Sequence, residues 1–260
     1  DDQYYVDAAG SISMVHLESG TVSTIGFDGF DDSVLETLRL SPAAVAAKGS
    51  LAEAALVDIE PEYVTLSADG STLFVTLQEN NAVAKVDLAA WKASDASTVG
   101  SSVMELLPLG YKDHSIEGNG LDASDKDDAI DIATFDLKGM YMPDAIAAYA
   151  VNGVDYFVIA NEGDGRGDLN DEGEKGKYGD EERIKDITLD ETAFGGADLV
   201  AALQDNSSLG RLKVSLIDGD TDGDGDYDEL YSFGARSFSI FNADGDLVFD
   251  SGDDFEAITA

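Results

Sequence analysis

One internal repeat limits this chain more than any other feature. Residues 61–80 read Pro61-Glu-Tyr-Val-Thr-Leu-Ser-Ala-Asp-Gly-Ser-Thr-Leu-Phe-Val-Thr-Leu-Gln-Glu-Asn80. Residues 143–164 read Pro143-Asp-Ala-Ile-Ala-Ala-Tyr-Ala-Val-Asn-Gly-Val-Asp-Tyr-Phe-Val-Ile-Ala-Asn-Glu-Gly-Asp164. Each runs Pro, acid, strand, Gly turn, strand, then Glu beside Asn. Two hairpins of one design predict an all-β chain built as a β-propeller of four-stranded blades. A two-sheet sandwich stays open as the alternative.

The surrounding pattern agrees. Residues 11–16, 73–77, 83–87, 156–160, 212–216 and 238–241 are short, rich in β-branched and aromatic residues, and bounded by turn formers. Asp69-Gly70, Asn152-Gly153 and Asp244-Gly245 are hairpin turns by their chemistry. Helical pattern is confined to 32–47, with a Pro-started second piece from Pro42, and to 197–204. Both read as insertions between strands. With 260 residues the expectation is one propeller domain spanning 1–260. The ends read as unfinished: residues 10–17 as an outer strand, residues 249–256 as the lead into another blade. The chain begins Asp1-Asp2-Gln3, without Met, which reads as a processed chain or the central part of a longer one.

Charge is the outlier. Asp and Glu number 54 against 15 Lys and Arg, a formal net of −39. Such a chain repels nucleic acid and anionic membrane. Three readings of the acid are open: work in high salt, binding of several divalent ions, or solubility alone. There is no Cys and only 2 His, so disulfide staples, Cys-zinc sites and Cys nucleophiles are excluded. Hard oxygen ligands favour Ca²⁺ or Mg²⁺. No apolar run is long enough to span a bilayer.

The strongest chemical motif is Asp220-Thr-Asp222-Gly-Asp224-Gly-Asp226-Tyr-Asp228. Alternate carboxylates in a glycine-rich loop converge on one point, as a calcium ion requires. Starting at Asp220 the spacing closes on Asp228. Starting at Asp218 it closes on Glu229 at EF-hand spacing. A following strand at 229–233 favours the first. Asp122, Asp125 and Asp127 form a weaker candidate, less regular and interrupted by Lys126; a solvated loop competes with it.

A third set is dispersed: Glu62, Glu79, Asn80, Asp113, His114, Asp144, Asn161, Glu162, Asp164, Arg183 and Arg236. The repeat places Glu62 with Asp144 and Glu79 with Glu162 at matching blade positions, on one rim of a propeller channel. Carboxylates and His there would hold a metal that activates water, and Arg would bind a phosphate. Acids satisfying backbone N–H groups are the competing account. Arg166-Gly167-Asp168 is too short to carry an adhesion reading, and no Gly-x-Ser-x-Gly elbow or phosphate loop is present.

Several segments in this order, 78–82, 109–115, 118–125, 143–146, 160–164, 209–213 and 219–241, carry a family resemblance. They resemble the choice-of-anchor I family of secreted bacterial proteins, also labelled mesenchyme-specific cell surface glycoprotein-like. The resemblance implies a YVTN-type β-propeller, exported and often tethered to the cell surface (periplasm remaining open), of which this chain is a central portion. Members are often named alkaline phosphatase-like, which says little of activity because fold does not carry function. The leading expectation is a secreted or cell-surface calcium-binding propeller for binding or scaffolding. Its partners would be calcium ions and a surface polymer, phosphate ester or extracellular protein. A metal-dependent phosphoesterase using the rim residues is the alternative. A structural element of an extracellular layer is the third.

Overall fold

The computed structural model describes residues 8–94, 98–166 and 179–259. The chain is mostly β with a few short helices, and it divides into two compact units.

The first unit holds the chain up to Leu109, with Met142–Ala160 and Ser239–Phe249. Strands Val64–Leu66, Thr72–Leu77, Ala82–Asp87 and Met104–Pro108 form an antiparallel meander in sequence order. Its inner strands are apolar on both faces: Phe74, Val75, Leu77, Ala82, Val83, Ala84 and Val86 are all buried. A second four-stranded sheet runs Ile146–Val151, Val154–Ala160, Phe238–Asn242, Leu247–Asp250. Its first hairpin turns on Asn152 and Gly153, at φ 53° and 79°. That is the doubly positive geometry that Asn-Gly tolerates and that matches strand twist. Phe157 joins the two sheets. Its ring stacks on Phe241 at 5.5 Å and tilts against Phe74 at 5.2 Å.

The helical segment 32–47 forms two pieces, Asp32–Leu35 and Pro42–Lys48, the second starting at Pro42 as its sequence predicts, with Ser41 capping Ala44. Helices Leu51–Asp58, Leu88–Ala93 and Asp254–Thr259 were not anticipated. Leu51–Asp58 is Ala-rich and short, so it lacks an amphipathic period, though Ser50 capping Glu53 N–H marks its start. The predicted helix at 197–204 is present as Ala197–Leu203.

The second unit holds Gly110–Tyr141, Asn161–Phe238 and the chain from Asp250. Five strands lie in the order Glu181–Arg183, Lys213–Ser215, Tyr231–Ser232, Lys138–Met140, Tyr111–Asp113. The pairing of Lys138–Met140 with Tyr231–Ser232 is parallel and the rest antiparallel. Leu121–Asp122 and Ile132–Ala133 add a small ribbon. Leu121, Leu137, Ile184, Leu189, Leu209, Val214 and Leu230 form the core.

Beside that core lies a buried polar network. Lys112, 4% exposed, donates to the carbonyls of Ala235 (3.0 Å) and Gly252 (2.6 Å) and pairs with Asp250 (3.0 Å). Asp250 also accepts from Ser237 Oγ, Asn161 Nδ2 and Gly252 N–H. The network ties the strand Tyr111–Asp113 to two segments more than a hundred residues later in the chain. Gly163 and Gly234 pack backbone to backbone: a Cβ on Gly163 would lie 1.9 Å from Gly234 N.

Candidate metal loop and surrounding residues

The aspartate-rich loop lies between strands Lys213–Ser215 and Tyr231–Ser232. Its base closes where Asp228 and Glu229 N–H both donate to Gly219 O (2.8 and 3.1 Å). Asp220 braces the interior, accepting from Gly223 N–H (2.7 Å) and Gly225 N–H (3.1 Å). Ligand oxygens of Asp220, Asp222 and Asp224 lie within 4.8 Å of one another, all exposed. Asp226 and Asp228 do not join them. They group instead with Asp190, again within 4.8 Å, and half-buried.

Asp190 was absent from the sequence reading. It arrives by tertiary pairing: Leu189 bridges Tyr227 in parallel, Tyr227 N–H donates to Thr188 O, and Asp190 N–H donates to Tyr227 O, both at 3.0 Å. Buried Leu189 anchors the segment. A single Asp 30 or more residues upstream carries no local signal of this role.

The carboxylates feel one another. Asp224 pushes the Asp222 carboxyl above its ordinary range. Asp226 is pushed up by lost hydration and then by Asp224 and Asp190. Asp228 is held low by the Thr221 hydroxyl and N–H. Repulsion of this kind is what a cation would relieve. The residues of the alternative register are engaged elsewhere. Glu229 accepts from Lys138 Nζ (2.5 Å) and Tyr231 OH (2.6 Å), and Lys138 holds its carboxyl low. Asp218 accepts from Ser215 Oγ.

Two of the weaker acids are committed: Asp125 takes a bidentate grip from Arg211 and Asp127 accepts Ala129 N–H. Asp122 is tied only through its backbone, whose N–H donates to Glu256. None of these falls in a three-acid group among the described residues.

The dispersed candidates divide between the units. Glu62, Glu79 and Asp144 belong to the first, and Asp113, His114, Glu162, Arg183 and Arg236 to the second. Glu62 N–H donates to Thr76 O and Asp144 N–H to Ala160 O, so this pair does occupy matching hairpin positions. Within neither unit do the described candidates gather three ligand atoms within 4.8 Å. Asn80 is structural: its amide reaches Arg39 O, Asp58 O and the Asp58 carboxylate. Asp113 caps Ser115, whose hydroxyl and N–H keep its carboxyl low. Arg183 lies opposite Lys213 in the strand register.

His114 is 1% exposed. Its Nδ1 faces Asn119 O at 2.6 Å, and a carbonyl only accepts, so Nδ1 carries the proton. Nε2 has no hydrogen-bond partner among the described residues and lies 2.6 Å from where a Cβ of Gly139 would be. Burial pushes its pKa down. Of Arg166-Gly167-Asp168, residues 167 and 168 lie outside the described residues. Arg166 itself faces Asp180 at 3.7 Å and is largely buried.

Among the described residues no helix is long and apolar enough to cross a membrane. No curated protein and no solved structure matches the chain. The choice-of-anchor I domain matches residues 1–260, the whole of it. The chain therefore belongs to the choice-of-anchor I domain family, which is associated with the bacterial cell surface.

Proposed function

We propose that this chain is a calcium-binding β-propeller module displayed outside the cell, serving binding or scaffolding. The observation that carries the reading is the convergence of Asp220, Asp222 and Asp224 on one point, braced by the N–H groups of Gly223 and Gly225. Ca²⁺ tolerates the flexible, all-oxygen geometry such a loop offers, whereas Mg²⁺ demands a near-ideal octahedron. Closure on Glu229 is disfavoured because Lys138 holds it, and Asp228 lies with Asp190 and Asp226 rather than with the first three aspartates. The Asp190, Asp226 and Asp228 group would then serve as a second acidic pole of the same loop. Two four-stranded antiparallel sheets that share the repeated hairpin support the propeller reading, with 1–260 as part of one such domain. A surface polymer or another extracellular protein is the partner class that suits a surface family. No specific observation favours phosphoester hydrolysis or a purely structural layer role.

The test is calcium titration of EDTA-stripped protein by calorimetry, with thermal melting. Calcium at a hundredfold excess over its Kd stabilises by about 2.7 kcal/mol. For a chain of this length that raises Tm by roughly 5–11 °C. The double variant Asp222→Asn, Asp224→Asn should lose the shift. No bound calcium and an unchanged melt would sink the proposal.

A further inference from the structure

The second unit contains a cavity of about 730 Å³, inside the roughly 300–1,000 Å³ range of small-ligand sites. It is separate from the aspartate loop. Its walls carry three of the chain's 15 basic residues, Arg211, Lys213 and Arg236. Each stands against a carboxylate. Arg211 holds Asp125 through Nε (2.5 Å) and Nη2 (3.2 Å), Lys213 pairs with Glu181, and Arg236 Nε bonds Glu256.

Three observations point to a ligand. The Nη groups of Arg236 make no hydrogen bond to any described residue, although its Nε is fixed. The Oδ1 atom of Asp122 in the same wall is buried and has no hydrogen-bond partner among the described residues. Arg236 also sits at φ 52°, a left-handed conformation that costs a non-glycine residue about 1–3 kcal/mol and clusters at functional positions. Beside it the backbone is cut back: a Cβ on Gly165 would lie 3.1 Å from Glu181 Oε2 and 3.3 Å from the Phe233 ring.

Chemistry narrows the ligand. A metal ion is disfavoured because the cavity's carboxylates do not bring three ligand atoms within 4.8 Å. An anion would enter against a net charge of −39 and meet cations already neutralised. An apolar ligand would bury paired charges and leave them unhydrated. A neutral polyol suits every wall. Each ion pair sets N–H donors next to carboxylate acceptors, and a hydroxyl both donates and accepts. Neighbouring hydroxyls can therefore bond both members of a pair without separating them, and Phe233 offers a ring to an apolar sugar face. We infer that this cavity binds a neutral carbohydrate, a sugar residue or short oligosaccharide. The inference names a ligand class for the binding role above and does not depend on calcium.

Saturation-transfer NMR and calorimetry with cellohexaose, laminarihexaose, mannohexaose, maltohexaose and chitohexaose test it. Trigalacturonate and inorganic phosphate are the anionic probes. At least one neutral oligosaccharide should bind saturably. Its affinity should fall about tenfold or more, the loss of one charged hydrogen bond, in Arg211→Gln and in Asp164→Asn. Asp164 lines the cavity and is exposed, so its variant keeps the test informative if Arg211→Gln misfolds. Sugar binding that survives EDTA supports the inference even if the calcium proposal fails. It is overturned if no neutral sugar binds, if both variants bind normally, if only the anionic probes bind, or if EDTA abolishes the interaction.

Discussion

The buried pair of Lys112 and Asp250 permits a worked prediction. Lys112→Met removes the cation but leaves Asp250 its donors, Ser237 Oγ, Asn161 Nδ2 and Gly252 N–H among them. Its cost should fall at the low end of the range for breaking a buried pair, about 3 kcal/mol. The carbonyls of Ala235 and Gly252 lose their donor in the same step. Asp250→Asn keeps those carbonyls satisfied but leaves a buried ammonium without a counter-charge, which places it at the upper end, about 4–5 kcal/mol. The double variant buries no charge at this point. It should cost less than the sum of the singles by about 1–3 kcal/mol, the coupling expected of groups in contact. Urea unfolding followed by amide exchange in the second unit measures all three. Additive single costs, or Lys112→Met within about 0.5 kcal/mol of wild type as for a surface change, would refute the reasoning.

Two further outcomes are expected. His114 has its folded-state pKa pushed below the ordinary 6.5 by burial, with Lys112 and Arg236 opposing its charge and Asp250 favouring it. As pH falls below about 6.5 the unfolded chain takes a proton that the native chain refuses, so stability present above that pH is lost. The urea midpoint should therefore drop between pH 7.5 and 5.5, and this part of the slope should vanish in His114→Gln; an unchanged slope would contradict the assignment. Gly163→Ala should destabilise well beyond the roughly 1–3 kcal/mol of left-handed strain, because its Cβ would lie 1.9 Å from Gly234 N. Gly110→Ala, at φ 76° with open space around it, should show the strain alone. Equal costs at the two positions, in matched thermal melts, would count against the close packing.

Legibility followed distance along the chain. The hairpins at Asp69-Gly70 and Asn152-Gly153 were readable because strand alternation and turn chemistry act within a few residues. So was the spacing of Asp220, Asp222 and Asp224, where a carboxylate reaches N–H groups three and five residues on. The loop's division was not readable. Asp226 and Asp228 turn to Asp190 because of the bridge between Leu189 and Tyr227. Lys112 is a further case: a lysine in a short strand reads as solvent-facing, and only a fold that brings two carbonyls and a carboxylate to it makes burial tolerable.

Sequence alone determined the local vocabulary of this protein: mostly β, turn-rich, acidic, with one loop spaced for a hard cation and a family resemblance along its length. Tertiary structure decided which pieces meet. Val154–Ala160 lies beside Phe238–Asn242 in one sheet although the larger part of the second unit is inserted between them. The cavity walls come from segments around residues 122, 164, 181, 211, 236 and 256. Such pairings are set by closing long loops and by burying complementary faces. Neither quantity can be read from any short window of residues.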